Sequence, residues 1–430
     1  MGQSILAVPA ETLERIATAV DTPVYVYDSD AMRSRYRELT AALSGFPHQI
    51  LYSVKANSNL SILRLMCGLG AGADIVSGGE LVRVLRAGFP ADKVVFSGVG
   101  KTRRELTAAV ENHLGLVNVE SHDELTLLNE VAQELKTVAK FGFRVNPDVA
   151  TNTHPYTQTG ERGMKFGVPM GEVISQALWA RDQEYLSLQS VGMHIGSQIL
   201  EASRYRQGVE KLASLIEQLR DSGVEELHSA DVGGGIGIQY TTEEALDAAV
   251  YAAAIEPLAR RTGLKIMLEP GRFLVGNEGY LLTRCVHRKQ SGGRSFVVVD
   301  AGMNDLLRPS LYGAVHDICV VAGGDTDQSE VTTVDVVGPI CETGDFLGVD
   351  RQLTGVKRGT LLAVRGAGAY GFTMSSNYNS RPRPPEVMVE GDRWAIIRER
   401  ETIDDLMRGE QLSSDAELDW RTGRENTVDE

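Results

Sequence analysis

The feature that most constrains the fold is an alternation of short β-type runs with longer amphipathic patterns over the first two thirds of the chain. Between the β-type runs, apolar residues recur at spacings of three and four, as on one face of a helix. Strict alternation of eight strands with helices predicts an α/β fold, the (β/α)8 TIM-type barrel. The eight runs are QILYSV, ADIV, VVFSG, GLVNVE, KFGFRVN, LQSVGMHIG, HSADVGGG and LKIMLEPG.

A second, all-β domain is predicted after the barrel, where strand-like runs follow one another with turns and almost no helical pattern. The run DTPVYVYD lies before the first barrel strand and could join the same domain. We therefore assign residues 37–282 to the barrel, and residues 1–36 together with 283–430 to a discontinuous β domain. The end of the chain, after about residue 405, is rich in Asp, Glu and Arg, which predicts a surface helix followed by a tail.

Composition excludes several classes of function. The net charge of −15 over 430 residues disfavours binding to nucleic acid or to an anionic membrane surface. No apolar run approaches the length of a membrane span. The four cysteines lie far apart without a C-x-x-C pair, which argues against a zinc site and a disulfide scaffold and fits a reducing cytoplasm. We expect a cytoplasmic protein with two sizeable domains and no metal.

Residues suited to catalysis or ligand binding follow the predicted barrel strands. In a (β/α)8 barrel, the loops after the strands meet on one face, where active sites lie. A lysine alone in such a place would more often be a solvated strand cap. When a whole set of such residues falls on one face, a functional site is the better interpretation and the solvated strand cap the weaker one. The set comprises Lys55, His194, Ser197, Gly233, Gly234, Gly235, Glu269, Pro270, Gly271 and Arg272.

The triple glycine after the seventh strand indicates a phosphate site, because barrels commonly hold phosphate there and glycines let backbone N–H groups converge on an anion. A phosphate site, a lysine and a carboxylate together predict pyridoxal phosphate. Lys55 would bind the cofactor covalently, helped by a lowered pKa. Glu269 would keep the pyridine nitrogen protonated. His194 could stack on the ring, and Ser197 with the glycines could bind the phosphate.

Ten motifs give the chain a family resemblance. In their order, and over nearly the whole chain, they are similar to those of the diaminopimelate decarboxylases, which belong to the pyridoxal phosphate decarboxylases that pair a barrel with a β domain. Two departures are mild: Thr343 where the family often has Ser, and Met193 before the His of HIGSQ. The motifs are YSVKAN, DIVSGGEL, HPYTQTGERGMKFGV, HIGSQ, DVGGG, EPGR, RPSLY, CETGDF, GAGAYG and YNSRPRP.

The resemblance implies roles around the cofactor. Lys55 would be the cofactor lysine, and Gly235 with its neighbours and the EPGR segment would bind the cofactor. Tyr370 would also touch it. Cys341 would be the proton donor and would arrive from the partner subunit, so that a homodimer shares its active sites. Taken alone, Cys341 would more often be a buried packing residue.

The resemblance also implies the substrate and its contacts. Arg272, Arg308 and Tyr312 would grip a substrate carboxylate, for which the planar guanidinium fork is suited. Glu342 would pair with a substrate ammonium, and Tyr370 would line the same pocket. The implied reaction converts meso-2,6-diaminopimelate to L-lysine and carbon dioxide, the last step of lysine biosynthesis.

Other activities remain open at this point. They are a pyridoxal phosphate decarboxylase of another basic amino acid or polyamine precursor, a racemase on the same barrel, and a non-catalytic pyridoxal phosphate-binding barrel. Paired arginines together with Glu342 disfavour substrates without a distal carboxylate and amine, because charges would be left unmatched. A racemase usually uses a tyrosine where this chain has Cys341.

Overall fold

The computed structural model describes residues 6–149, 163–324 and 331–411 of the chain. Strands and helices are numbered in chain order. The chain begins with helix α1 (Ala10–Ala19), strand β1 (Val24–Asp28) and helix α2 (Ser29–Ala42). None of the helices in these ranges is both long enough and apolar enough to cross a bilayer.

Eight parallel strands form a closed barrel, and the predicted α/β barrel is thereby confirmed. The strands follow one another around the ring in chain order, and pairing of the last with the first closes it. All eight runs predicted from the sequence correspond to barrel strands. Those strands are β2 (His48–Ser53), β3 (Gly72–Ile75), β4 (Val94–Phe96), β5 (Leu116–Val119), β6 (Ala139–Asn146), β8 (Leu186–Met193), β9 (Ser229–Asp231) and β10 (Lys265–Leu268), with a two-residue strand β7 (Val168–Pro169) pairing with β6.

Helices follow the barrel strands and pack their apolar faces on them. Several begin at a side chain that accepts a backbone N–H of the first turn, such as Ser77, Asp247 and Thr102, the last of these within a capping box with Glu105. These caps place the helix starts on the same face as the strand ends. The helices are α3 (Leu60–Gly68), α4 (Gly78–Ala87), α5 (Arg103–Glu111), α6 (His122–Glu134), α7 (Met170–Arg181), α8 (Ala202–Asp221) and α9 (Ala248–Thr262).

Nine strands form a second, mixed sheet, which confirms the predicted all-β companion of the barrel. In it β1 pairs antiparallel with β11 and parallel with β17, so a strand from before the barrel lies inside the later domain. Besides β1 its strands are β11 (Gly279–Ser291), β12 (Arg294–Val299), β13 (Ile318–Ala322), β14 (Val331–Val337), β15 (Phe346–Thr354), β16 (Leu361–Val364), β17 (Glu386–Glu390) and β18 (Arg393–Arg398).

Three short helices accompany the second sheet and its junction with the barrel. They are α10 (Arg272–Val275), α11 (Arg308–Tyr312) and α12 (Ile403–Leu406). The boundaries at residues 37 and 282 stay a prediction, since sheet pairing does not fix where one domain ends. Most of the predicted C-terminal tail, from residue 412 onward, lies outside the described residues, as does most of the HPYTQTGERGMKFGV motif.

A buried carboxylate joins the two domains. Glu386 of β17 is fully buried and accepts hydrogen bonds from the hydroxyl of Tyr27 on β1 at 2.7 Å and from the side-chain amide of Asn59 at 2.8 Å. Arg398 of β18 forms an ion pair with it. Asn59 is also the N-cap of barrel helix α3. One carboxylate therefore links the mixed sheet to the start of α3, the helix that follows barrel strand β2.

We predict that Glu386→Ala lowers the free energy of unfolding by about 3 kcal/mol, because Tyr27 and Asn59 would keep buried donors without an acceptor. Urea-induced unfolding followed by tryptophan fluorescence measures this change. A loss below 1 kcal/mol, on the order of a surface ion pair, would show that the junction does not depend on this carboxylate.

The matched control is Glu390→Ala on the same strand. Glu390 forms ion pairs with Arg33 at 2.8 Å and with Arg393 at 2.7 Å, and its side chain is 45% exposed. Exposed ion pairs contribute little to stability, so we expect a loss below about 1 kcal/mol.

Candidate active site

Lys55 stands at the carboxyl end of β2, in a short turn over residues 54–56. Its Nζ donates to Oδ2 of Asp74 at 2.8 Å, and Asp74 is fully buried on β3. The lysine side chain is 34% exposed and lines a cavity in the mouth of the barrel. Lys55 therefore points into the barrel mouth and is anchored by an ion pair, unlike a strand cap in free solvent.

The pKa of Lys55 differs from the sequence-based expectation. Burial alone would lower it, as expected, but the carboxylates of Asp74 and Glu269 outweigh burial and raise the pKa above its ordinary value. The expectation of a lowered pKa is therefore wrong for this structure. The physical reason is that a buried ammonium with a carboxylate at hydrogen-bond distance is favoured in its charged form.

Two buried acids, Glu269 after β10 and Asp231 at the end of β9, line the same cavity as Lys55. Burial raises the pKa of Glu269 well above its ordinary value, and the Asp231 and Asp74 carboxylates raise it further. Burial raises the pKa of Asp231 to about 6, although the N–H of Gly233 donates to its Oδ1 at 2.8 Å. Among the described residues, Oδ2 of Asp231 has no hydrogen-bond partner. A protonated pyridine nitrogen in this cavity would bring a donor and a positive charge close to these acids.

His194 follows β8 and lines the same cavity. Its Nδ1 accepts the backbone N–H of Gly234 at 3.2 Å. Burial lowers the pKa of His194 well below its ordinary value, and the charges of Arg144 and Lys55 lower it further. The imidazole is therefore neutral at pH 7, and its orientation is fixed by a backbone contact. A neutral, oriented ring suits stacking on an aromatic cofactor.

The triple glycine after β9 leaves no room for side chains. Gly233 and Gly235 have φ values of +71° and +92°, in the left-handed region that favours glycine. A Cβ on Gly234 would lie 2.1 Å from the carbonyl oxygen of Glu269, and one on Gly235 would lie 2.1 Å from that of Gly196. Only glycine fits all three positions. The glycines therefore let this loop pack directly against the backbone that follows β8 and β10.

The EPGR segment packs on the strand that carries Lys55. The N–H of Ser53 donates to the carbonyl of Pro270 at 3.2 Å, and the Ser53 hydroxyl donates to that of Glu269 at 3.0 Å. A Cβ on Gly271 would lie 2.8 Å from the Cβ of Ala56. This close approach brings the acid after β10 beside the lysine after β2.

Arg272 ends the EPGR segment and contacts Ser197, a residue predicted to bind the phosphate. Its Nη2 donates to the hydroxyl of Ser197 at 3.0 Å, and its Cζ lies 4.9 Å from the ring centre of Tyr370. Tyr370 is in turn tied to the lysine turn, because its N–H donates to the carbonyl of Ala56 at 2.8 Å. Ser197, Arg272 and Tyr370, all predicted site residues, thus form a continuous chain of contacts to the lysine turn.

Arg308 extends this chain into the second domain. Both guanidinium groups lie beside the Tyr240 ring, with Cζ of Arg308 at 4.6 Å and Cζ of Arg272 at 5.7 Å from the ring centre, and Arg272 also donates a hydrogen bond to the Tyr240 hydroxyl. Both guanidinium groups are buried, and no carboxylate within the described ranges forms an ion pair with either. Tyr312, half-buried, lies near enough to influence both charges. Two buried cations without a counterion suit the binding of a carboxylate.

Cys341 and Glu342 lie apart from this cluster. Both are exposed on the second domain, where the backbone N–H of Cys341 donates to Oδ1 of Asn379 at 3.0 Å. Within the part of the chain that the structure describes, neither lines the cavity around Lys55. Among the described residues, no contact joins Cys341 or Glu342 to Lys55.

Sequence reasoning missed several polar residues of the site, although a signal for them existed. Asp74, Asp231 and Arg144 are charged residues inside otherwise apolar strands, in ADIV, SADV and FGFRVN. A charge in a strand of a parallel barrel must point into the barrel mouth or find a partner. Tyr240, which separates the two arginines, lies in a loop and carries no comparable signal.

The residues present fit pyridoxal phosphate: an anchored amine, buried acids, a neutral ring and a loop of three glycines. Comparison with known proteins leads to the same cofactor, since residues 29–276 match the family described as pyridoxal-dependent decarboxylase, pyridoxal binding domain. The chain thus contains a pyridoxal phosphate site.

Full-length relatives narrow the family further. A diaminopimelate decarboxylase from Aquifex aeolicus is 46% identical over 93% of this chain and 94% of that protein, and one from Pseudomonas fluorescens is 45% identical over 93% and 95%. A crystal structure of the diaminopimelate decarboxylase from Helicobacter pylori complexed with L-lysine is 41% identical, with a TM-score of 0.88 over 92% of this chain and 98% of that one. The chain belongs to the diaminopimelate decarboxylase family of pyridoxal-dependent decarboxylases.

Proposed function

We propose that the protein decarboxylates meso-2,6-diaminopimelate to L-lysine and carbon dioxide. The observation that carries this proposal is the pair of buried guanidinium groups of Arg272 and Arg308, which form no ion pair with a carboxylate of the described residues. Arg272 lies beside Tyr370, and the N–H of Tyr370 donates to the lysine turn. A substrate with a carboxylate distant from the reacting carbon supplies the missing anion. The Helicobacter pylori relative with a lysine complex supports the same substrate class.

When bound, pyridoxal phosphate supplies the sink for the electron pair that carbon dioxide leaves behind. Lys55 would hold the cofactor through its amine, and the hydrogen bond to Asp74 would fix the direction of the lysine side chain. Glu269 would keep a proton at the ring nitrogen, and Asp231 would add negative charge to the same cavity. His194 would stack on the ring, and the glycine loop with Ser197 would bind the phosphate.

The remaining residues handle the substrate. Arg272, Arg308 and Tyr312 hold its non-reacting carboxylate, and Glu342 pairs with the distal ammonium. After the bond to the carboxylate breaks, the thiol of Cys341 gives its proton to the reacting carbon, and solvent returns one to the thiolate. One carbon–carbon bond is lost and one carbon–hydrogen bond is gained, so atoms and charge balance.

A homodimer completes this arrangement in our proposal. Cys341 and Glu342 are exposed in their own chain and do not line its cavity within the described residues, whereas the proposed chemistry needs both beside the lysine. In a two-fold dimer, the second domain of each subunit would lie against the barrel of its partner, which would bring Cys341 and Glu342 of one subunit beside the lysine of the other. The four cysteines are free thiols, which supports a reducing cytoplasm as the place of action.

We predict that the purified protein absorbs visible light through bound pyridoxal phosphate and releases carbon dioxide from meso-diaminopimelate. Lys55→Ala abolishes both the band and turnover, because the covalent anchor is lost. Absorbance and carbon dioxide release measure the two effects. Lys265→Ala, which removes an exposed lysine at the opposite end of a barrel strand, keeps both. Persistence of the visible band in Lys55→Ala would remove Lys55 from its role.

Cys341→Ala separates cofactor binding from proton transfer. We expect the visible band to stay and kcat to fall by roughly a hundredfold, the scale of a lost general acid. Steady-state kinetics with meso-diaminopimelate measure the fall. The control Cys67→Ala removes a half-buried thiol of barrel helix α3 and keeps full activity. Equal kcat values for the two variants would mean that another group donates the proton.

Mixing inactive variants tests the shared site. A heterodimer of Lys55→Ala and Cys341→Ala subunits has one barrel with both functional groups and one with neither. After denaturation and joint refolding of equal amounts, about a quarter of wild-type activity is expected, because half of the dimers are mixed and each has one intact site. Refolding each variant alone is the control. No recovery in the mixture, with dimers present by light scattering, would place Cys341 in its own chain's site.

A further inference from the structure

Arg308 contacts a histidine for which the proposed chemistry has no role. Its Nη1 lies 2.8 Å from Nε2 of His316, which is fully buried. The other ring nitrogen, Nδ1, lies 2.8 Å from the carbonyl oxygen of Arg365. A carbonyl can only accept, so Nδ1 carries the hydrogen and Nε2 is left to accept from Arg308. The neighbours on both sides therefore fix one neutral tautomer.

The electrostatic setting keeps this imidazole neutral. Burial and the charge of Arg308 lower the pKa of His316 to about 3, against the contribution of the Arg365 carbonyl. At pH 7 the pair is thus one guanidinium cation and one neutral acceptor. The acceptor satisfies an N–H of the guanidinium without cancelling its charge.

Further contacts hold the guanidinium plane in place. The Tyr240 ring covers it, with Cζ of Arg308 at 4.6 Å from the ring centre. His316 meets the same ring edge-on, with ring centres 5.2 Å apart. A carboxylate at position 316 would give equal orientation but would also pair with the cation. Tyrosine and histidine together orient the charge and leave it available.

We propose that His316 is a positioning residue that presents Arg308 as an oriented, uncompensated cation to the non-reacting carboxylate of an amino acid ligand. The inference rests on the proposed function and adds to it a determinant of specificity for a carboxylate. It also explains why a residue outside contact with the reacting atoms occupies a wholly buried position beside an arginine.

The test compares two ligands that share their amines. L-lysine carries a carboxylate, whereas 1,5-diaminopentane has the same two amines without one. Isothermal titration calorimetry on the cofactor-loaded enzyme gives Kd for each. In His316→Glu, the new carboxylate pairs with Arg308, and we expect the Kd for lysine to rise roughly tenfold or more while that for the diamine changes less than about threefold.

Two neutral variants keep the test decisive if His316→Glu does not fold. His316→Gln retains a neutral acceptor, and its Kd for lysine is expected to stay within about fivefold of wild type. His316→Leu removes the acceptor. Its affinity for lysine is expected to fall roughly tenfold, while its affinity for the diamine stays unchanged. His287→Glu adds the same charge at an exposed position of β11 and serves as the control without an effect.

The outcomes separate the two proposals. A wild-type enzyme that binds pyridoxal phosphate but neither decarboxylates meso-diaminopimelate nor binds lysine overturns the proposed function. An active wild type whose His316→Glu and His316→Leu variants keep the wild-type ratio of lysine to diamine affinity overturns the positioning role. Equal losses for both ligands also overturn it, because they would show a general distortion and no selective loss of the carboxylate site.

Discussion

The site depends on a contact between the lysine turn of the barrel and the second domain. The N–H of Tyr370 donates to the carbonyl of Ala56, and the side-chain amide of Asn57 donates to the carbonyl of Gly368 at 3.1 Å. Asn59, two residues further on, reaches Glu386. A turn after a barrel strand is ordinarily free to move, but this one is held at three successive points. The second domain therefore fixes the direction of Lys55 as well as supplying substrate contacts.

Charge is unevenly distributed across the site. The barrel interior around the lysine holds three buried acids, Asp74, Asp231 and Glu269, whereas the junction with the second domain holds two buried guanidinium groups without acidic partners among the described residues. Buried charges of one sign are costly unless a ligand compensates them. The interior therefore favours cationic groups, such as a protonated ring nitrogen and an amine, while the junction favours a carboxylate. A ligand with separated charges can satisfy both regions at once.

The sequence predicted the barrel well because its signals are local. Each barrel strand is a short apolar run bounded by turn residues and followed by an amphipathic pattern, and the chain order alone then implies closure. The same logic placed Lys55, His194, the glycines and Glu269 on one face, since every one of them directly follows a strand. Motif similarity reached further, to Arg308 and Tyr370 in the second domain, where strand order gives no such rule.

What sequence could not supply was the sign of local electrostatics. The pKa of Lys55 was expected to fall because the strand around it is apolar, but the neighbour that decides the outcome, Asp74, belongs to another strand and is brought near only by parallel pairing of β2 with β3. His316 illustrates the same limit: its neutral state follows from a carbonyl of Arg365 and a guanidinium of Arg308, which only the fold brings together. Because each charge state depends on a partner distant in sequence, the residue types of this site can be read from the chain while their protonation requires the structure.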